Sequence, residues 1–188
     1  AIGTYALDAS TTASHNAAVG YNALGGNTTG ENNTAVGSSA LKNNTTAGQN
    51  TAVGKSALLA NTTGDVNTAI GSYALDANTT GYNNTAVGNN ASGDATGADY
   101  VVAVGQAALK ANQADYNTAV GAEALEANTT GTGNVAMGFR ALEANTTGSN
   151  NTGLGYASLQ VNTGGSNTSV GYLAMDANTG GSSNTALG

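Results

Sequence analysis

Few side chains in this sequence could act on a substrate or hold an ion. His15 is the only histidine, and it lies at an irregular corner after Ser10-Thr11-Thr12-Ala13-Ser14, where a solvated turn residue is a simpler reading than a general base. A carboxylate pair is the remaining route to acid–base chemistry. Glu123 with Glu126, or Asp94 with Asp99, are near enough in the chain to be weighed, and surface solubilisation explains them more simply. Asp94, Asp99 and Asp115 form a scattered acidic set that could attract calcium, but the alternating glycine and aspartate of calcium-binding solenoids does not occur. With no cysteine there can be no thiolate metal site and no disulfide. The expectation is no enzymatic activity, no catalytic or metal-binding residue and no cofactor.

Three polar or aromatic series could serve binding instead. Tyr21, Tyr156, Tyr172 and Phe139 each follow a recurring glycine, with Tyr5 and Tyr73 one place later, so an aromatic row could bind glycans, stack on a partner or simply cover a rim. Paired threonines at Thr28/Thr29, Thr45/Thr46, Thr62/Thr63 and Thr79/Thr80 would suit ice or a crystal surface if they formed a flat array. Asn27, Asn61, Asn78, Asn128 and Asn145 open Asn-x-Thr triplets that match a glycosylation acceptor, although they recur because the sequence repeats.

What positions all of these is an internal repeat. The segment from Asn33 through Gln49 (Asn-Thr-Ala-Val-Gly-Ser-Ser-Ala-Leu-Lys-Asn-Asn-Thr-Thr-Ala-Gly-Gln) begins again at Asn50. Units start near Asn16, Asn33, Asn50, Asn67, Asn84, Val101, Asn117, Asn134, Asn151, Asn167 and Asn184. Their phase is kept by Gly20, Gly37, Gly54, Gly71, Gly88, Gly105, Gly121, Gly138, Gly155 and Gly171. Before each of these glycines stands an apolar residue: Val19, Val36, Val53, Ile70, Val87, Val104, Val120, Met137, Leu154 and Val170. The glycine step is 17 residues except for two 16-residue steps, and both deletions fall at one corner, Asn112-Gln113-Ala114-Asp115-Tyr116 and Asn162-Thr163-Gly164-Gly165-Ser166. The unit 84–100 is the most degraded, with Ser92 where others carry leucine. Residues 1–188 read as a single repeat array, a window cut from a longer fibre.

Composition narrows the partners. Four basic against eleven acidic residues, a net charge of −7, leave no basic stripe for a phosphate backbone, so nucleic acid is not expected. No apolar run approaches the roughly 20 residues of a membrane helix, nothing reads as a signal peptide, and no membrane contact by this segment is expected. Hydrophobic residues make up 39% of the chain and recur at fixed places, which argues for an ordered repeating core over disorder.

Each unit carries glycines and an asparagine–threonine cluster, which disfavour helix. Two short strands per unit are predicted, Thr34-Ala35-Val36 and one near Ala40-Leu41-Lys42, joined by the corner Asn44 to Gly48. Stacked roughly 4.8 Å apart, such units give an all-β parallel solenoid of about eleven coils. Asn44, Asn61, Asn78, Asn128 and Asn145 should then form an asparagine ladder. Adjacent apolar residues in each strand, Ala35 with Val36 and Ala40 with Leu41, suggest that one face lines the coil while the other is covered by a neighbouring chain.

The pattern Ala-Val-Gly-x-x-Ala-Leu at residues 35–41, 52–58 and 119–125, and with Ile70 at 69–75, resembles the YadA-like head repeats of trimeric autotransporter adhesins and of related bacterial and phage fibre proteins. The likeness spans nearly the whole chain; the family's usual unit is shorter, and the extra residues sit at the Asn-Thr-Thr-Gly corner. It implies a left-handed β-roll packed side by side as a homotrimer, and no catalytic residues. The function it suggests is a non-enzymatic extracellular structural or adhesive segment, a rigid stalk or head for surface attachment at the cell surface or on a virion. Host-surface protein or glycan would be its partner. Bacteriophage tail-fibre shaft and secreted filament subunit are the alternatives, with an ice-binding solenoid as the reading from another class.

Overall fold

The computed structural model describes all of residues 1–188. Eleven three-residue strands, one per repeat, form a single parallel sheet in sequence order: β1 (Ala17–Val19), β2 (Thr34–Val36), β3 (Thr51–Val53), β4 (Thr68–Ile70), β5 (Thr85–Val87), β6 (Val102–Val104), β7 (Thr118–Val120), β8 (Val135–Met137), β9 (Thr152–Leu154), β10 (Thr168–Val170) and β11 (Thr185–Leu187). This is an all-β parallel solenoid with no helices, in which every strand from β2 to β10 pairs with the equivalent strands of the coils before and after it. Registers are in phase: Ala35 faces Ala52 and Val36 faces Val53. Where the repeat is one residue short, as in Val102↔Thr118, the register still holds. The lost residue comes out of the corner, since Asn112 reaches the carbonyl two residues on, where the full corner places it three residues on from Asn61.

Only one stretch per unit is a strand. The predicted second strand at Ala40-Leu41-Lys42 is a turn, because Ser39 and Leu41 both have left-handed backbone, φ 60° and 50°. The pattern recurs in the other coils, for example at Ser56 and Leu58. These bends change which way the side chains point. In an extended strand Ala40 and Leu41 would face opposite sides; here both are completely buried inside their own coil. The apolar pair in this stretch therefore calls for no neighbouring chain, which corrects half of the expectation drawn from doubled apolar residues. Left-handed backbone costs a leucine about 1–2 kcal/mol. Burying its side chain returns about 1.5–3 kcal/mol, so the bend is sustained by the core it fills.

That core is a thin column of small residues. Its cluster of 26 buried residues is mostly alanine, with one leucine per regular coil, Leu24, Leu41, Leu58 and Leu75 among them. Axial backbone bonding extends well beyond the strands: 97 of 117 backbone–backbone hydrogen bonds lie outside them, including Leu41 N–H to the Ala57 carbonyl at 3.0 Å and Thr28 N–H to the Thr45 carbonyl at 2.9 Å. Each coil is therefore tied to the next around most of its perimeter. The glycine after each strand makes this stacking possible. Gly54 has φ 135°, outside the range side chains tolerate, and a Cβ there would run into the carbonyl of Gly71 in the next coil. No helix is long and apolar enough to cross a membrane.

Candidate functional site

Alternation along each strand sorts the predicted apolar ladder from the core. Ala35 points inward and is fully buried, while Val36 points outward and remains 38% exposed. The strand registers align Val19, Val36, Val53, Ile70, Val87 and Val104 in one axial row, continued by Val120, Met137, Leu154 and Val170. Val19, Val36, Ile70 at 42% and Met137 at 47% are exposed, and the other six are half-buried, so the chain itself covers this row only in part. The result is a straight apolar strip on the outer face of the sheet, bordered by the glycine row. Its other border carries the threonines that open most of the strands.

The polar corner is held by two asparagine ladders. In the first, which the spacing of Asn44, Asn61 and Asn78 anticipates, each Nδ2 donates to the Oδ1 one coil below, Asn61 to Asn44 at 2.9 Å and Asn78 to Asn61 at 3.0 Å. Asn27 lies below Asn44 in it, and beyond a break at Ala95 it resumes with Asn112, Asn128, Asn145, Asn162 and Asn178. The second uses the asparagines that open every unit but the one beginning at Val101. Asn33 accepts the Asn50 backbone N–H at 3.0 Å and donates through Nδ2 to the Ala47 carbonyl at 2.8 Å, so one side chain ties a strand start to the corner and to the next coil. Their strict period was visible, but their bonding was not read from it. Burial also settles what the Asn-x-Thr triplets can do: Asn27, Asn61, Asn78, Asn128 and Asn145 are all at 0% exposure, each with its Nδ2 held in a hydrogen bond. A glycan on any of them would require the corner to open.

The candidate reactive residues do not converge as one set. His15 is exposed, at a corner with φ 57°. Asp94 lines a groove of about 400 Å³ together with Ala111, Ala127, Ala144, Lys110, Glu126 and Glu143. Asp99 and Asp115 lie elsewhere, stacked at the corner, where the Asp115 carboxylate accepts the Asp99 N–H at 2.9 Å. The Glu123 and Glu126 carboxylates do come together, joined by Glu143, within 4.8 Å of one another. Arg140 bridges two of them, its Nε donating to Glu123 at 2.6 Å and lying 3.7 Å from Glu143, and Gln160 donates to Glu143 at 2.5 Å. Hydrogen bonding to Glu123, with the charge of Glu143, holds the guanidinium pKa above its ordinary value. The cluster is therefore a partly neutralised ion-pair group. Glu143 and Arg140 escaped the sequence reading, although each lies one repeat beyond Glu126 and Glu123.

The aromatic row separates into pieces. Tyr5 meets Tyr21 edge-on at 5.9 Å, and Phe139, Tyr156 and Tyr172 stack with centroids 5.3 and 5.2 Å apart. Tyr73 stands apart, under Lys55. A further aromatic group runs along the corner and was not anticipated: Tyr82 meets Tyr100 edge-on, and Tyr100 stacks on Tyr116, both at 5.4 Å. A hydrogen bond with Tyr100, together with the charges of Tyr100 and Asp99, raises the pKa of the Tyr82 hydroxyl. The first threonine of each pair spends its hydroxyl on the stack: Thr45 donates to the Thr62 carbonyl at 3.1 Å and Thr62 to the Thr79 carbonyl at 3.0 Å.

No family model, curated protein or solved structure matches this chain.

Proposed function

We propose that this chain is a non-enzymatic segment of an extracellular fibre, a rigid stalk or head that assembles side by side as a homotrimer and presents a repeated surface for attachment. The outward-facing row of Val36, Val53, Ile70, Val87 and their equivalents, exposed at Val36 and Ile70 and half-buried at Val53 and Val87, is the observation that carries this reading. A continuous apolar strip running the length of a soluble rod is costly to leave in water and suits burial against the same strip on another copy. The number of copies, three, and the left hand of the coil come from the resemblance of Ala-Val-Gly-x-x-Ala-Leu to YadA-like head repeats. Ten steps of about 4.8 Å make a rod of about 48 Å, so this segment acts as a spacer. Its corners repeat one weak surface many times, and avidity towards a host-surface protein or glycan replaces a specific pocket. The same geometry serves a phage tail-fibre shaft or a secreted filament. Ice binding fits less well, because the first threonine of each pair has its hydroxyl engaged and the row is broken at Gly97 and Gln113.

The test is the triple variant Val36→Asp, Val53→Asp and Val87→Asp. Because all three side chains point outward, the isolated coil keeps its β signal in circular dichroism while sedimentation shows loss of the oligomer. Full assembly of the variant would reject the strip as the interface.

A further inference from the structure

In a regular coil the inner corner asparagine makes three hydrogen bonds. Asn61 donates to Asn44 Oδ1 and to the Gly64 carbonyl, both at 2.9 Å, and accepts from Asn78 Nδ2 at 3.0 Å. The degraded unit has Ala95 in this position. Three polar groups lose their partner there. Asn78 Oδ1 is buried with no hydrogen bond. The Ala98 carbonyl accepts from Asn84 Nδ2 alone, at 2.7 Å, whereas the equivalent Gly81 carbonyl accepts from both Asn67 and Asn78. Asn112 Nδ2 donates to the Ala114 carbonyl at 2.7 Å and has no asparagine below to receive its second N–H. None of this is near solvent, since Asn78, Ala95, Ala98 and Asn112 are all at most 2% exposed.

We propose that Ala95 creates an internal binding site for a single water molecule that takes the place of the missing carboxamide. Water donates one hydrogen to Asn78 Oδ1 and the other to the Ala98 carbonyl, and accepts the spare N–H of Asn112. Those are the two donors and one acceptor that an asparagine supplies at this place in every regular coil. Three partners is the usual complement of a buried water, and the three heavy atoms by which asparagine exceeds alanine leave room on the order of the ~30 Å³ that one water occupies. An ion does not fit the same groups. A cation would face the Asn112 N–H, and an anion would face two carbonyl oxygens. The site lies beside the other irregularities of the array, Ser92 and Val101, so the solenoid exchanges an all-protein ladder for a hydrated joint at this one coil.

Magnetisation transfer from water to the Asn112 side-chain amide protons, measured in the wild-type protein and in Ala95→Asn, tests the site. Transfer to Asn112 in the wild type and its loss in Ala95→Asn is the expected result, because the new carboxamide displaces the water and joins both halves of the ladder. Equal transfer in both proteins, or none in the wild type, overturns the proposal. Should Ala95→Asn fail to fold, a crystal structure of the wild type that resolves ordered waters decides alone: a peak bonded to Asn78 Oδ1 supports the site, and no peak there refutes it.

Discussion

Ser92→Leu should stabilise the protein by about 3 kcal/mol. Ser92 occupies the place of the core leucine, between Leu75 in the coil before and Leu109 in the coil after, and all three are buried. Its backbone already has the leucine geometry: φ is 50° at Ser92, 50° at Leu75 and 52° at Leu109, and the Ser92 N–H keeps the axial bond to the Ala108 carbonyl at 2.9 Å. Two penalties would be lifted together. The serine hydroxyl is buried with no hydrogen-bond partner, a defect of about 1–3 kcal/mol. The hydrocarbon missing from the column corresponds to a large-to-small core change, about 2–5 kcal/mol. Taking each contribution near its lower end gives a net gain of about 3 kcal/mol. In a chain of this size that raises the thermal midpoint by about 6–12 °C. The assay is thermal and denaturant unfolding at one fixed protein concentration, because assembly makes the midpoint depend on concentration. Leu58→Ser, which plants the same defect in a regular coil, should lose about as much as Ser92→Leu gains. A neutral or destabilising Ser92→Leu, alongside a costly Leu58→Ser, would refute the inference that coil 84–100 retains the regular core geometry.

Two further perturbations probe other parts of the stack. Gly54→Ala meets both the φ of 135° and the Gly71 carbonyl, so a loss of at least about 3 kcal/mol is expected in denaturant unfolding, and a midpoint within error of wild type would contradict the stacking geometry. Asp76 titrates above its ordinary value of 3.8, chiefly through burial and secondarily through the charge of Asp94, so its ionised form is the disfavoured one in the fold. Its contribution is fully favourable below the unfolded pKa and is lost as pH rises through the folded pKa. Relative to Asp76→Asn, wild-type stability should therefore fall as pH rises from below 3.8 to neutrality, and a difference that stays flat over that range would remove the shift.

The parts of this fold visible in the sequence are those that repeat at constant spacing and keep ordinary backbone. Ala35 and Val36 alternate as a strand must, and Asn44, Asn61 and Asn78 recur at one position, so strand and ladder could both be read. The second half of the coil could not. Leu41 looks like a strand residue, and nothing in its side chain announces a left-handed φ that leucine disfavours and only the packed column sustains. Side-chain clusters were missed for a different reason. Arg140 is remote from Glu123 along the chain and becomes its neighbour only when the repeat is applied as a contact rule, and Glu143 relates to Glu126 in the same way. The corner tyrosines are hidden further, because Tyr82 sits one place out of phase with Tyr100 and Tyr116, although the Tyr100 N–H donates to the Tyr82 carbonyl at 3.2 Å.

The native mass of the wild-type segment bears most directly on the proposed assembly. Three times the chain mass of 18.1 kDa at micromolar concentration is the expected result, with the row from Val19 to Val170 protected from surface labelling. A mass of 18.1 kDa at every concentration, with that row freely labelled, would contradict it.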